Sequence, residues 1–191
     1  MTDPGSTTTF TVDRPPTEAF DATTDVRGWW SEDIDGPTDQ PGAEFTYRSE
    51  DLHRARIRVT DAGPGRRVSW LVVDDHFACT EDEAEWTGTT ITFDLAPVGG
   101  RTAVRSTHQG LTPAHECFEV CSTAWGLFVD SSLRSLITTG EGRPGRRAHQ
   151  SLDTGAEPRT GEETPRLGTA RSSRRGSGRQ RASSCWWRRR S

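Results

Sequence analysis

Apolar and polar residues alternate with period two in five stretches of this chain, Thr7–Val12, Ala43–Arg48, His53–Asp61, Trp86–Leu95 and Arg101–Gln109, and a sixth, Arg67–Asp74, is the most apolar, centred on Trp70. Alternation at that period places one set of side chains on a buried face and the other in water, so each stretch predicts a strand. His53–Asp61 is the clearest case. Ala55, Ile57 and Val59 share one face, and Arg54, Arg56 and Arg58 share the other. Turn chemistry separates the stretches: Gly63-Pro64-Gly65 precedes Arg67, and Gly99-Gly100 makes a tight hairpin into Arg101. Pro15 and Pro16 open a short helix at Thr17–Thr24, and a second short helix or turn carries Val26, Trp29 and Trp30. Asp33–Pro41 reads as a loop, and Asp75–Glu85 as a solvated acidic loop.

After Gln109 the period changes. Cys117, Cys121, Ala124, Trp125, Phe128, Ser132 and Leu136 recur at three- and four-residue spacing, which predicts one long amphipathic helix. Thr112 is its expected N-cap, Pro113 its first residue, and Gly140 and Gly142 its stop before Pro144. Strands followed by a single covering helix exclude alternating parallel units and predict an α+β domain. A helix with a partly polar inner face needs a curved antiparallel sheet to lie in. That is a helix-grip arrangement enclosing a pocket.

Charge divides the chain in two. Residues 1–140 carry 11 Arg against 23 acidic residues, a net −12; residues 141–191 carry 13 Arg against 5, a net +8, and no Lys occurs anywhere. An acidic body does not suit phosphate backbones, so nucleic acid is not an expected partner except through the basic tail. The domain is expected to span 1–144. The Arg/Ser/Gly-rich stretch 145–191 has too few apolar residues to order itself, and its composition is that of a GC-rich gene read out of frame. Absence of a signal-like start and of long apolar runs predicts a cytoplasmic protein without a membrane partner, whose four cysteines are reduced.

Candidate chemistry is sparse. No nucleophile elbow, phosphate-binding loop or dinucleotide fingerprint occurs, so no catalytic residue and no cofactor are expected. Cys117 and Cys121 stand one helical turn apart near His108 and His115, but His115 points elsewhere on the wheel. The thiols therefore read as small core hydrophobes, and no metal is expected. His108 alternates with Val104 and Ser106, so it is expected either as a polar group on an inner face that looks into the pocket or as a strand-end histidine bonded to a loop. The pocket is expected to be bounded by Trp70, Phe93, His108, Cys121, Trp125 and Phe128.

Several motifs in order carry a family resemblance: Arg27-Gly-Trp29-Trp30, Arg67-Val-Ser-Trp70, Glu85-Trp-Thr-Gly-Thr-Thr-Ile-Thr-Phe93, Thr107-His-Gln-Gly-Leu111 and Ser135-Leu-Ile-Thr-Thr-Gly140. Together they resemble the SRPBCC (START-like) superfamily, in particular its bacterial branch related to the heat-shock-protein-90 ATPase activator C-terminal domain. The resemblance runs from Thr7 to Pro144. It implies a helix-grip fold with a cavity between sheet and helix, and no shared catalytic residue. The function expected from it is binding of a small apolar or aromatic molecule for carriage, sensing or sequestration. Two alternatives are protein contact that regulates a chaperone ATPase, and a cyclase- or hydratase-type enzyme using His108 as acid–base.

Overall fold

The computed structural model describes residues 5–146. Seven strands form one antiparallel sheet in the order β1-β7-β6-β5-β4-β3-β2. The strands are β1 (Ser6–Val12), β2 (Ile34–Asp35), β3 (Glu44–Ser49), β4 (His53–Gly63), β5 (Arg67–Phe77), β6 (Thr90–Val98) and β7 (Arg101–Gln109). Two short helices, α1 (Pro16–Thr24) and α2 (Val26–Trp29), follow β1. The C-terminal helix runs without a break through α3 (Phe118–Leu127), a π-helical turn (Phe128–Leu133) and α4 (Arg134–Thr139). This is the expected α+β helix-grip fold.

The sheet buries what the alternation assigned to its inner face. Phe45 and Tyr47 of β3, Ala55, Ile57 and Val59 of β4, Val68, Trp70 and Val72 of β5, and Ile91, Phe93 and Leu95 of β6 are all buried. The outer face carries exposed ion pairs such as Arg58–Glu44 at 2.6 Å and Arg67–Asp94 at 2.8 Å. Such pairs in water contribute little to stability, so burial on the inner face holds the sheet.

Three expectations need correction. The long helix begins at Phe118, not at Pro113. Thr112 does not cap it, because its backbone N–H and hydroxyl both meet Nδ1 of His115, at 3.1 and 3.2 Å. The helix start is capped from outside, by the carboxylate of Glu85, which accepts from the N–H groups of Glu116 and Cys117. The acidic stretch Asp75–Glu85 is therefore not a solvated face throughout: Asp75 and Glu85 are buried, and both accept backbone N–H bonds. Trp86, expected to open a strand, stands in the turn before β6 and is buried there.

The helix's inner stripe also differs. The buried residues are Cys117, Cys121, Trp125, Val129, Ser132, Leu133 and Ile137, while Ala124, Phe128 and Leu136 are only half-buried. Residues four apart drift by about 40° per step around a regular α-helix. The stripe 117-121-125-129-133-137 would thus turn away from the sheet over its length. The π turn, with its wider i→i+5 bonding, takes up part of that drift and keeps Val129, Leu133 and Ile137 inward. The stop is as expected: Gly140 adopts φ 81°, the left-handed cap that glycine takes without strain.

The chain's later residues remain tied to this body. Gly145 bridges Ser31, and Arg143 donates its N–H to the Ser132 hydroxyl at 2.6 Å, which itself donates to the carbonyl of Trp29 at 2.7 Å. Of the expected tail 145–191, Gly145 is paired with Ser31 and residues 147–191 lie outside the described residues.

Candidate functional site

Between sheet and helix lies an aromatic layer. Trp29 and Trp30 reach in from α2 and stack on Trp70 of β5, with ring centroids 6.4 and 6.2 Å apart. Trp125 of α3 closes the layer edge-on, 5.8 Å from Trp29 and 5.1 Å from Trp30, and Phe93 stands edge-on to Trp70 at 5.2 Å. Tyr47 stacks on Trp30 at 4.3 Å, and burial pushes its phenol up to about 12. Five of the six expected pocket residues, Trp70, Phe93, His108, Cys121 and Trp125, are buried on this inner surface, and Phe128 is half-buried at the π turn. In this conformation the space they bound is filled by indole rings. Trp29 and Trp30, both buried, are the chief fillers.

His108 is wholly buried at the end of β7. Its Nε2 lies 2.9 Å from the Thr89 hydroxyl, which is itself 2.6 Å from the carbonyl of Trp86. A hydroxyl has one proton, and the Trp86 carbonyl can only accept it. Thr89 therefore accepts from His108, which fixes the imidazole as the Nε2–H tautomer with a bare lone pair on Nδ1. Burial pushes its pKa down to about 3, with smaller contributions from His115 and His53, so the ring is neutral. Among the described residues Nδ1 meets no partner, nor do the indole N–H groups of Trp70 and Trp86. Trp125 differs, since its N–H donates to the Ser106 hydroxyl at 3.1 Å.

A second polar group lies beside it. His53 opens β4 and donates Nε2–H to Oδ1 of Asp75 at 2.7 Å, and Oδ2 of Asp75 accepts the N–H of Trp86 at 3.0 Å. Burial lowers the His53 pKa against the opposing pull of Asp75. The indole of Trp86 is thus held between two histidine rings, 4.8 Å from each and edge-on to both. The sequence reading missed this group, for no alternation places Asp75 inward.

Close to the His53 ring, a cavity of about 20 Å³ opens between the sheet and the first turns of α3, lined by His53, Phe77, Cys117, Val120 and Cys121 among others. That is room for about one water molecule. Cys117 and Cys121 are free thiols. The bond to Cys121, burial and the nearby Glu85 carboxylate all push the Cys117 thiol up, which keeps it neutral and unreactive. His115 stands apart from the thiols, bonded to Thr112. Among the described residues no three His, Cys, Asp or Glu side chains gather as a metal site.

The model of the family described as "Activator of Hsp90 ATPase homolog 1-like protein" matches residues 13–138, a span that runs from before α1 into the last turn of α4. The chain belongs to this family. Its fold, the START-like helix grip, typically holds a hydrophobic cavity. Among solved structures, the chain is similar to the Aha1 dimer from Colwellia psychrerythraea, at 26% identity and TM-score 0.57, over 72% of this chain and 98% of that one. It is also similar to a Mesorhizobium loti protein, at 18% identity and TM-score 0.54, over 69% and 95%. DynU16, a putative protein in the dynemicin biosynthetic locus, shows 19% identity and TM-score 0.57, over 76% and 51%. The last two likenesses concern the fold alone. No curated protein matches the chain.

Within this member of the family, the Glu85 carboxylate is a tie between the β5–β6 loop and the C-terminal helix. Replacing Glu85 by alanine leaves two helix-start N–H groups without their acceptor. The expected cost is about 1–2 kcal/mol of unfolding free energy, as for other lost caps, read from urea denaturation. An unchanged midpoint would mean that the cap is dispensable. Among the described residues no helix is long and apolar enough to cross a membrane.

Proposed function

We propose that this protein binds a small apolar or aromatic molecule between the sheet and the C-terminal helix, and holds it without transforming it. The observation that carries this reading is the set of unpartnered nitrogens in the aromatic layer: Nε1 of Trp70, Nε1 of Trp86 and Nδ1 of His108. A finished core satisfies its buried polar groups, because each one left bare costs about 1–3 kcal/mol. Three in one small interior fit a wall built to face something else. The family's usual cavity between sheet and helix supplies the place, apart from the cavity of about 20 Å³ beside His53, whose lining includes none of these three residues. Entry requires the β5–β6 loop and the start of α3 to part, and the Glu85 carboxylate, with the Glu81 N–H that donates to Glu116, holds them together.

A second reading has its own observation. An interior filled by Trp29, Trp30, Trp70 and Trp125 is also that of a module acting through its outer surface. The likeness to an Aha1 dimer and the family description would then point to contact with a chaperone ATPase.

Native mass spectrometry of the full chain purified from its own host separates these readings, together with titration by the apolar dye N-phenyl-1-naphthylamine. The expected result is a co-purifying small molecule and saturable binding of one dye, reported by tryptophan quenching. Neither a retained molecule nor saturable binding, alongside stimulation of a chaperone ATPase, would move the assignment to the second reading.

A further inference from the structure

Resting on the ligand-binding reading, we infer that the ligand carries a hydroxyl on its apolar or aromatic frame, and that this hydroxyl donates to Nδ1 of His108.

Thr89 decides which nitrogen of His108 carries the proton. Its only proton is directed to the carbonyl of Trp86, so it accepts from Nε2–H of His108 and leaves Nδ1 as an acceptor. That acceptor is wholly enclosed, and no donor among the described residues reaches it. The tautomer flips only if Thr89 turns its proton away from the Trp86 carbonyl, 2.6 Å from its hydroxyl, and towards Nε2. The ring also stays neutral at physiological pH, because burial holds its pKa near 3. His108 is therefore a fixed acceptor.

The neighbouring orphans have the opposite sense. The indole N–H groups of Trp86 and Trp70 are donors without acceptors. Trp86 stands edge-on to His108 with centroids 4.8 Å apart, which brings one donor into the same neighbourhood as the bare acceptor. One group satisfies both senses at once: an oxygen that bears a proton, giving it to Nδ1 and accepting from an indole. A ketone or ether oxygen would leave Nδ1 bare, and an ammonium would leave the indoles bare. A carboxylate would add a charge that no cation here neutralises. The walls around these atoms are Trp125, Phe93 and Ile91, so the rest of the ligand is apolar and suited to stacking. A single water molecule would meet the same polar groups, and the test below tells it from a ligand.

The test uses a matched pair, 2-naphthol and naphthalene, titrated into the full chain with tryptophan fluorescence and calorimetry as readouts. Naphthol is expected to bind at least about tenfold more tightly, the effect of one well-placed buried hydrogen bond. The preference should fall to near parity in His108→Phe, which keeps a flat ring but has no acceptor. Should that variant fail to fold, the nitrogen NMR signals of His108 in the unaltered protein give a second measurement. Nδ1 should resonate as an unprotonated, unbonded nitrogen in the free protein, and move towards the hydrogen-bonded position with naphthol but not with naphthalene. Equal affinity for the two probes would overturn the inference, as a permanently held water predicts, and would leave the ligand-binding reading intact. A preference surviving in His108→Phe, or an unmoved Nδ1 signal, would also overturn it. Binding of neither probe would remove the reading on which the inference rests.

Discussion

Replacing Trp29 by alanine will lower the unfolding free energy by about 3–5 kcal/mol, the range for deleting a large buried aromatic side chain. Trp29 is the hub of the aromatic layer. It is wholly buried, it stacks on Trp30 and Trp70, and Phe93 and Trp125 stand edge-on to it at 5.7 and 5.8 Å. Its indole N–H donates to the carbonyl of Thr23 at 3.2 Å, so the substitution also strips an acceptor at the end of α1. The strands and α3 cannot close over the void, because Trp70 and Trp125 are held by their own backbones on opposite sides of it. Urea unfolding followed by circular dichroism measures the loss. Indole added in excess should restore part of it, since a ligand that fits the void binds only the folded state. A loss below about 1 kcal/mol would show that the layer is loosely packed and that the other rings move to fill it.

The order of elements and the inner faces of β3, β4, β6 and β7 were legible in the sequence because each obeys a local rule. Arg54, Arg56 and Arg58 cannot face a core, so Ala55, Ile57 and Val59 must. Two features were hidden because each depends on a partner distant in sequence. Strand β5 carries an irregularity opposite Arg56 and Ile57: Ile57 pairs with Val72, but Arg56 pairs with Asp74, so Val73 is the extra residue. That single insertion reverses the alternation and turns Asp75 and Phe77 inward after Trp70 and Val72. Asp75 then finds His53, which the register places one strand away. The second feature is the π turn, whose cause is a mismatch accumulated along the whole helix and not any one residue. Strict α-helical spacing therefore selected Phe128 and Leu136 where the sheet receives Val129, Leu133 and Ile137.

The candidate site divides in the same way. Strand alternation carried His108 inward as expected, and burial confirms its direction. The same alternation says nothing of what Thr89 does with its proton, and the tautomer of His108 follows from that choice alone. Nor does it show that Trp86, one residue after the capping Glu85, lies between two imidazoles. A loop of Thr, Glu, Asp and Gly with one tryptophan gives no periodic signal. Its function as a cover over β4, β5 and β7 exists only once the sheet has formed.

Mild acid will destabilise the protein through these same two histidines. His108 and His53 both have pKa values below the ordinary 6.5, burial being the first cause for each. Below pH 6.5 the unfolded chain binds protons that the native state refuses, so stability falls as the pH is lowered. The contribution of His108 is fully present above about pH 6.5 and is lost progressively towards its native value of about 3. For one such group the slope approaches about 1.4 kcal/mol per pH unit, so His108 alone should remove about 2 kcal/mol between pH 7 and pH 5. His53 adds in the same direction, tempered by Asp75, which favours its charged form. Urea unfolding at half-unit intervals from pH 5 to pH 8 gives the slope directly. In His108→Gln, which keeps a polar group facing Thr89 but does not titrate, the slope below pH 6.5 should diminish by about one proton. If the variant and its parent lose stability in parallel between pH 6.5 and pH 5, His108 is not buried as a neutral ring. The fixed acceptor facing the aromatic layer would then be lost with it.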